Sequence, residues 1–393
     1  MKVLLGHTFY RSSAPSGEDT VYRNERRLLE DNGIQVTTFE RFNDDIDDST
    51  FAGRVKLGMS AAWSRKTYRE LSALLRAARP DVAHFHNTFP LISPSAWAAC
   101  RDNGVPVVQT LHNFRFICPE AMLQRQGRPC EECLGSGLLP ALRHRCYRSS
   151  LPATLAQVWT IALNRMLGSY SRVDRYLALT RFAAGRLSAG GLPRARISVR
   201  SNFLHDPPPS GDGRGGYAVY VGRLSREKGL STLLRAWETV RGLPLKILGD
   251  GPLMHHLQEE ARRLDIPVEF RGRLPRREVL RITGRAALQV VPSEWYEGFP
   301  MAVLEAYACG TPVVASRIGS LAEIVKEGTT GLLFEPGNAL DLASTVEELM
   351  SNPIRLGMMR RRTRDHFLAN YSTASGFTTL LGIYREVLHD YRK

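Results

Sequence analysis

Residues 292–311 read PSEWYEGFPMAVLEAYACGT, and the fold is decided by how they are read. The apolar run Leu288–Val291 before them and residues 312–315 after them have the character of buried parallel strands, so the segment between should cross over as a helix. Pro300 suits the first helical position, having no N–H to lose, and Gly310 suits the left-handed residue that closes a helix. Glu297, Gly298 and Phe299 then lie at the helix start, where free amides and a partial positive charge favour an anion and Gly298 lets it approach the backbone. Glu305, eight positions beyond Glu297, falls in the second turn, so the two carboxylates can hold hydroxyls at two points of one elongated ligand. A sugar nucleotide has that shape. For either glutamate alone, an ordinary crossover helix with one acid near its start and one on a solvated face is the competing reading.

At 393 residues the chain exceeds what one hydrophobic core usually supports, and its 43% apolar content suffices for two. No apolar run approaches the length of a bilayer span, and the opening MKVLLGHTFYR is too short in its apolar part for a signal peptide, so a cytoplasmic protein is expected. The net charge of +14 is lopsided: residues 1–205 carry 28 Lys and Arg against 17 Asp and Glu, the remainder 25 against 22. The first half thus faces something anionic more plausibly than the second, whether nucleic acid, acidic lipid headgroups at the inner face of a membrane, or a phosphorylated acceptor. A merely solubilising Arg-rich surface stands beside these.

Residues 1–6 are strand-like and lead through a Ser-, Pro- and Gly-rich loop to an amphipathic helix over 18–31 and a strand over 34–39, a βαβ opening whose first loop lies at a sheet edge. Only Gly17 sits near that helix start. Strand 81–85 delivers His86 and Asn87 to the same kind of edge, and strand 105–111 delivers His112 and Asn113. A histidine so placed closes loops by hydrogen bonds at least as often as it does chemistry.

Cys118, Cys130, Cys133 and Cys146 follow, with one CxxC at 130–133. In a cytosolic chain this spacing suggests four thiolates around one structural zinc that pins an irregular loop over 118–146; a redox pair plus two buried thiols is the alternative. Residues 151–170 form an apolar helix that packs in the core or dips into a membrane. At 206–216 the composition breaks into Pro, Gly and Asp and reads as a linker.

Beyond it, strand 217–221 opens into Gly222-Arg-Leu-Ser-Arg-Glu-Lys-Gly229 and a helix. A glycine-bracketed turn carrying Arg223 and Lys228 offers backbone donors and fixed cations together, as a diphosphate requires. Later strands also end in Gly-rich or charged loops. The tail is helical and basic.

Taken together, Arg223, Lys228, Glu297 and Glu305, with SGEDTVYRNE, HFHNTFPLISPS, TLHNFRFICP, GRLSREKG, GDGPL and YEGFPMAVLEAYACGTPVVAS, resemble glycosyltransferase family 4 over nearly the whole chain. The resemblance implies an α/β protein of GT-B fold: two Rossmann-like domains facing each other across a cleft, here 1–205 and 217–375, with a C-terminal helix over 376–393 crossing back to the N-terminal domain. It implies retention of configuration at the transferred sugar without a catalytic metal; Asp44, Asp45, Asp47 and Asp48 lie in the wrong domain to hold one on the diphosphate. Arg223 and Lys228, with Gly222, would bind the donor diphosphate, Glu305 the ribose hydroxyls, and Glu297 the sugar hydroxyls beside the amides of Gly298 and Phe299. His112 would contact the donor sugar from the N-terminal domain, and Gly17 would match the acceptor-side loop near the phosphates. Many relatives carry two or more glycines in that loop, whereas this chain has Ala14-Pro15-Ser16-Gly17.

The implied activity is sugar transfer from a UDP- or GDP-sugar to a hydroxyl acceptor, whether glycan, glycolipid or small molecule, in cell-surface polysaccharide or lipid-linked oligosaccharide synthesis. A nucleotide-sugar epimerase of the same fold is the second enzymatic reading. A basic nucleic-acid-binding protein is the third, and it is disfavoured because no reading motif or aromatic interleaving accompanies the basic residues.

Overall fold

Short runs of β-branched and aliphatic residues recur along the chain, and in the computed structural model they sort into two parallel sheets. The structure describes every residue except Ala14, Pro15 and Asp48, and of Phe51 only the backbone. Two residues of the 14–17 loop and one of the acidic cluster therefore lie outside the described residues. The chain divides into two compact units, residues 1–123, 131–201 and 377–393 forming the first, residues 124–130 and 202–376 the second.

In the first unit the strands are β1 (Lys2–Phe9), β2 (Gln35–Phe42), β3 (Val82–Phe85) and β4 (Val107–Leu111). A two-stranded hairpin, β5 (Gln124–Arg125) with β6 (Arg128–Pro129), follows in sequence but groups with the second unit, and the first unit then resumes with β7 (Arg175–Ala178) and β8 (Ile197–Val199). The first sheet runs β2-β1-β3-β4-β7-β8, all parallel. The chain steps from β1 to β2 on one side and then returns to place β3 on the other, so the direction of winding reverses between β1 and β3. At such a switch point the connecting loops part and leave a crevice beyond the carboxyl ends of the strands.

The helix Gly17–Asp31 begins at a capping box in which Ser16 accepts from the Glu18 amide and Asp19 accepts from the Ser16 amide. It buries Val21, Tyr22, Leu28 and Leu29, but also Asp19 and Glu25. The last helix, Thr373–Arg392, lays Leu380, Ile383, Tyr384 and Val387 among Val3, Leu5, Val108 and Leu177, so the end of the chain completes the core of the first sheet. Each such side chain contributes about 1.5–3 kcal/mol by leaving water.

The second unit holds β9 (Ala218–Val221), β10 (Leu245–Leu248), β11 (Val268–Gly272), β12 (Leu288–Val291), β13 (Val313–Ser316) and β14 (Gly331–Phe334). Their order is β11-β10-β9-β12-β13-β14, again parallel throughout. This is the 3-2-1-4-5-6 arrangement of a dinucleotide-binding sheet, and its switch point lies between β9 and β12. The helix after the β9 turn, Leu230–Trp237, buries Leu230, Leu233, Leu234 and Trp237 against the sheet residues Tyr220, Ile247, Val290 and Val314.

The crossover between β12 and β13 is helical over Met301–Ala308, one residue later than the sequence suggests. Pro300 is not its first helical residue: at φ −71°, ψ 112° it is still extended and acts as the cap, while Phe299 turns its ring onto Tyr371. Gly310 takes the expected left-handed conformation at φ +70°. Residues 206–216 form no helix or strand, yet they are tied to the second unit. Gly211, Gly213 and Gly215 donate their amides to the carbonyls of Cys309, Gly284 and Arg285, and Arg360 donates to the carbonyls of Gly211, Gly284 and Ala286. Part of the basic run near the end of the chain therefore secures backbone, and is not a solvated face.

Candidate functional site

In the second unit the two loops that leave the switch point carry the charged residues. After β9 the chain turns through Arg226–Lys228 in a short 3-10 helix, and Gly229, at φ +69°, starts the next helix. A Cβ on Gly229 would stand 1.9 Å from the carbonyl oxygen of Pro292, so only glycine lets this turn close against the loop after β12. The amide of Glu294 donates to the carbonyl of Glu227 at 2.9 Å, and Thr232 Oγ1 donates to Glu294 Oε1 at 2.6 Å. Two segments far apart in sequence are thereby held in register.

The product of that register is an ion pair. Lys228 Nζ donates to Glu297 Oε1 at 2.6 Å, and Ser293 Oγ donates to the same oxygen at 2.6 Å. Glu297 is buried, and Lys228 also stands 5.3 Å over the Trp295 ring. The amides of Gly298, Phe299, Met301 and Ala302 find no acceptor among the described residues, as expected of a helix entrance. Arg223 is exposed one turn earlier; its carbonyl accepts from the Tyr220 hydroxyl, and no partner of its guanidinium is found among the described residues. Gly222 is packed tightly, since a Cβ there would come within 2.8 Å of the Tyr220 hydroxyl.

Glu305 stands apart from this pair. Its Oε1 accepts from Arg276 Nε at 3.1 Å, a partner that sequence reading did not single out, and no contact among the described residues joins it to Lys228 or Glu297. Burial raises its pKa above the usual carboxylate range, against the pull of Arg276.

The first unit has its own small hollow beyond β3 and β4; Glu18, His86, Gln109, His112, Asn113 and Arg115 are among its lining. Asn113 donates to Glu18 Oε1 at 2.9 Å and the Tyr10 hydroxyl to Glu18 Oε2 at 3.1 Å. Burial raises the Glu18 pKa, although Asn113 opposes it. Gly17 lies at the first position of the helix carrying Glu18, with no described residue within 4 Å of where a Cβ would be.

Behind His112 runs a buried chain of polar groups. Arg200 is paired with Glu25, Glu25 Oε1 lies 2.9 Å from His86 Nε2, and His86 Nδ1 lies 3.0 Å from His112 Nε2. Burial alone would raise the Glu25 pKa, but Arg200, His84 and His86 together hold it well below the usual range. Burial lowers the His86 pKa, and burial together with His86 lowers that of His112 well below the usual value. An ionised Glu25 can only accept, so neutral His86 donates from Nε2 and accepts at Nδ1, and His112 must carry its proton on Nε2. Its Nδ1 is left as an acceptor. Sequence reading missed Glu25 and Arg200, although Asp19, Tyr22 and Glu25 recur at the spacing of three that shares a helix face with Leu28 and Leu29.

Among the described residues only Glu25, His84 and His86 bring three metal-type donor atoms within 4.8 Å of one another, and Arg200 already occupies that carboxylate. The proposed zinc set does not converge. Cys118 is buried beside the turn at Phe114 and Ala121, Cys133 and Cys146 pack around Ala141 and Ile161, and Cys130 groups with the second unit. The single CxxC straddles the boundary between the units, which falls between Cys130 and Glu131.

Comparison with known proteins agrees along the chain. The family description "Glycosyltransferase Family 4" matches residues 15–206 and "Glycosyl transferases group 1" matches residues 208–366. The chain is similar to a glycogen synthase of Mycobacterium tuberculosis, 28% identical over 79% of this chain and 69% of that protein. It is likewise similar to a D-inositol 3-phosphate glycosyltransferase of Thermobifida fusca, 26% identical over 79% and 71%. Among solved structures, sucrose-phosphate synthase from Thermosynechococcus elongatus superimposes with a TM-score of 0.72 at 18% identity, covering 99% of this chain and 100% of that one. Anabaena HepE in complex with UDP gives 0.70 at 16%, covering 98% and 100%.

Proposed function

This chain belongs to glycosyltransferase family 4 and has the GT-B fold, and from that premise we propose that it transfers a sugar from a nucleoside-diphosphate sugar to a hydroxyl acceptor with retention of configuration. The observation that carries this reading is the Lys228–Glu297 pair at the second sheet's switch point, beside a helix entrance whose amides are unspent. Lys228, Arg223 and those amides hold the diphosphate. Glu305 takes the ribose hydroxyls, exchanging part of its contact with Arg276 for them, and Glu297 takes hydroxyls of the sugar. His112 is assigned to the transferred sugar on the strength of the resemblance.

In the reaction the bond from the anomeric carbon to the diphosphate oxygen breaks while a bond to the acceptor oxygen forms on the same face. The acceptor proton passes to the departing phosphate oxygen. Negative charge grows on the leaving group as the sugar becomes oxocarbenium-like, and Arg223 and Lys228 stabilise it there. The reading extends to cell-surface glycan or lipid-linked oligosaccharide synthesis.

Calorimetric titration with a panel of nucleotide sugars tests the donor class, with UDP-sugars first because HepE was solved with UDP. Binding by one nucleotide sugar, lost in Lys228→Ala, is expected. A donor converted to a second sugar nucleotide without release of nucleoside diphosphate supports an epimerase and sinks the transferase reading.

A further inference from the structure

The helices Phe51–Ala62 and Leu151–Met166 of the first unit lie side by side. A Cβ on Gly58 would come 3.8 Å from the Ala156 Cβ, and Asn164 donates to the Ala62 carbonyl at 3.2 Å, so the two helices run in the same direction. At about 100° per residue, Val55 and Met59 lie about 60–100° round from Gly58 in one sense. Leu155, Trp159 and Met166 lie about 60–100° round from Ala156 in the other sense. For parallel helices in contact, opposite senses bring both stripes to the same side of the pair. Among the described residues nothing covers that side: Met59 is 64% exposed, Trp159 58% and Met166 75%, with Val55, Leu151, Leu155 and Leu167 also exposed.

The charge around these stripes is mostly positive, although the exposed Glu70 lies 3.9 Å from Lys66 and also pairs with Arg41. Residues 51–69 and 139–173 together contain ten Lys and Arg and no Asp or Glu. Arg54 and Lys56 flank Val55, Arg165 adjoins Met166 and Leu167, and Arg65 and Lys66 follow the end of the first helix, all exposed. Before the first helix the sequence carries Asp44, Asp45, Asp47 and Asp48. Bulky apolar groups ringed by cations require a partner that is apolar within and anionic at its surface. A second copy of the same face meets only half of that requirement, because a two-fold contact would set mostly Arg and Lys against Arg and Lys. Nucleic acid supplies the anions but no hydrocarbon.

We propose that this two-helix face docks on an anionic lipid bilayer, with Trp159, Met166 and Met59 in the interfacial layer and the surrounding Arg and Lys on the headgroups. No helix among the described residues is long and apolar enough to cross a membrane, so the contact is peripheral. It requires nothing of the reaction the protein performs.

Co-sedimentation with vesicles of phosphatidylcholine containing phosphatidylglycerol, compared with phosphatidylcholine alone, reads the proposal. The full chain should pellet with the anionic vesicles, weaken steeply as salt is raised, and lose at least about tenfold in partitioning in Trp159→Glu and Met166→Glu. These side chains are exposed, so thermal melts of the variants should match the parent. As a second readout, brominated acyl chains should quench tryptophan fluorescence in the parent and not in Trp159→Phe. Equal binding to both vesicle types, binding unchanged in the variants, or a self-association abolished by Met59→Glu in place of vesicle binding would each overturn it. So would binding to a single-stranded oligonucleotide that the same substitutions remove while vesicles are ignored.

Discussion

Lys228 Nζ stands 2.6 Å from Glu297 Oε1 although 69 positions separate the two residues. The pair exists because β9 and β12 are neighbours in the sheet, so that the loops leaving their carboxyl ends emerge together. Without a ligand the ammonium neutralises the buried carboxylate; a diphosphate would compete for it. Lys228→Ala should therefore cost twice. Losing the charge that stabilises the leaving group should lower transfer by about 10²–10³-fold. Leaving Glu297 buried with Ser293 as its donor should destabilise the fold by about 1–3 kcal/mol. Nucleoside-diphosphate release and a urea melt of one preparation separate the two effects. Near-normal turnover in a folded Lys228→Ala protein would remove Lys228 from the diphosphate site.

Gly229 is what allows that approach. Its φ of +69° disfavours an L side chain, and the Pro292 carbonyl oxygen leaves no space for a Cβ. Gly229→Ala should destabilise by about 2–4 kcal/mol, combining backbone strain with displacement of the loop. Gly185, within the helix Arg181–Ala189 and with no atom near a would-be Cβ, provides the contrast. There, alanine should be neutral or stabilise by up to about 1 kcal/mol. Equal melting temperatures for the two variants would show that the turn does not press on the loop.

Burial lowers the pKa values of His7, His86 and His112 from the ordinary 6.5. For a histidine with a depressed folded value, the unfolded chain binds the proton first as pH falls. The stabilisation is complete above about 6.5 and is lost toward the folded pKa, at up to about 1.4 kcal/mol per pH unit for each histidine. Glu18, Glu120 and Glu305, which burial raises (Glu120 to about 6), act oppositely and offset part of this, while burial lowers His366 as well. The melting temperature should accordingly fall by several degrees between pH 7.5 and 5.5. His112→Asn should make that fall shallower. A melting temperature flat across this range would contradict the neutral histidine chain.

The two-sheet architecture was legible because β-branched runs ending in glycine or charged turns recur at crossover spacing, and a parallel strand needs only that local signature. Strand order was not, since a crossover of given length reaches either side of its parent strand, and the switch points exist only in three dimensions. The cysteines show the same limit. Spacing places Cys130 and Cys133 three residues apart, but it does not reveal that the boundary between the units falls between them or that the four thiols fail to converge. Glu25 was hidden for another reason: an acid in an amphipathic helix normally faces water, and its burial depends on Arg200, 175 positions away. Arg276, which engages Glu305, is equally distant from any local pattern.

Glu25→Gln is the sharpest probe of the buried chain behind His112. Arg200 can only donate, so the glutamine oxygen should keep the place facing the guanidinium and turn its NH₂ toward His86. His86 Nε2 must then accept, its proton moves to Nδ1, and Nδ1–H donates to His112 Nε2. His112 would thereby carry its proton on Nδ1, the reverse of the native arrangement, and offer a donor where it now offers an acceptor. Nitrogen-15 spectra of the imidazoles distinguish the tautomers directly, whatever the activity. The native protein should show His112 protonated at Nε2, and Glu25→Gln should show it protonated at Nδ1. The variant also leaves Arg200 buried without a carboxylate, a loss of about 3–5 kcal/mol, so the native spectrum provides the test that survives if the variant does not fold. A native His112 protonated at Nδ1 would mean that Glu25 does not set its state.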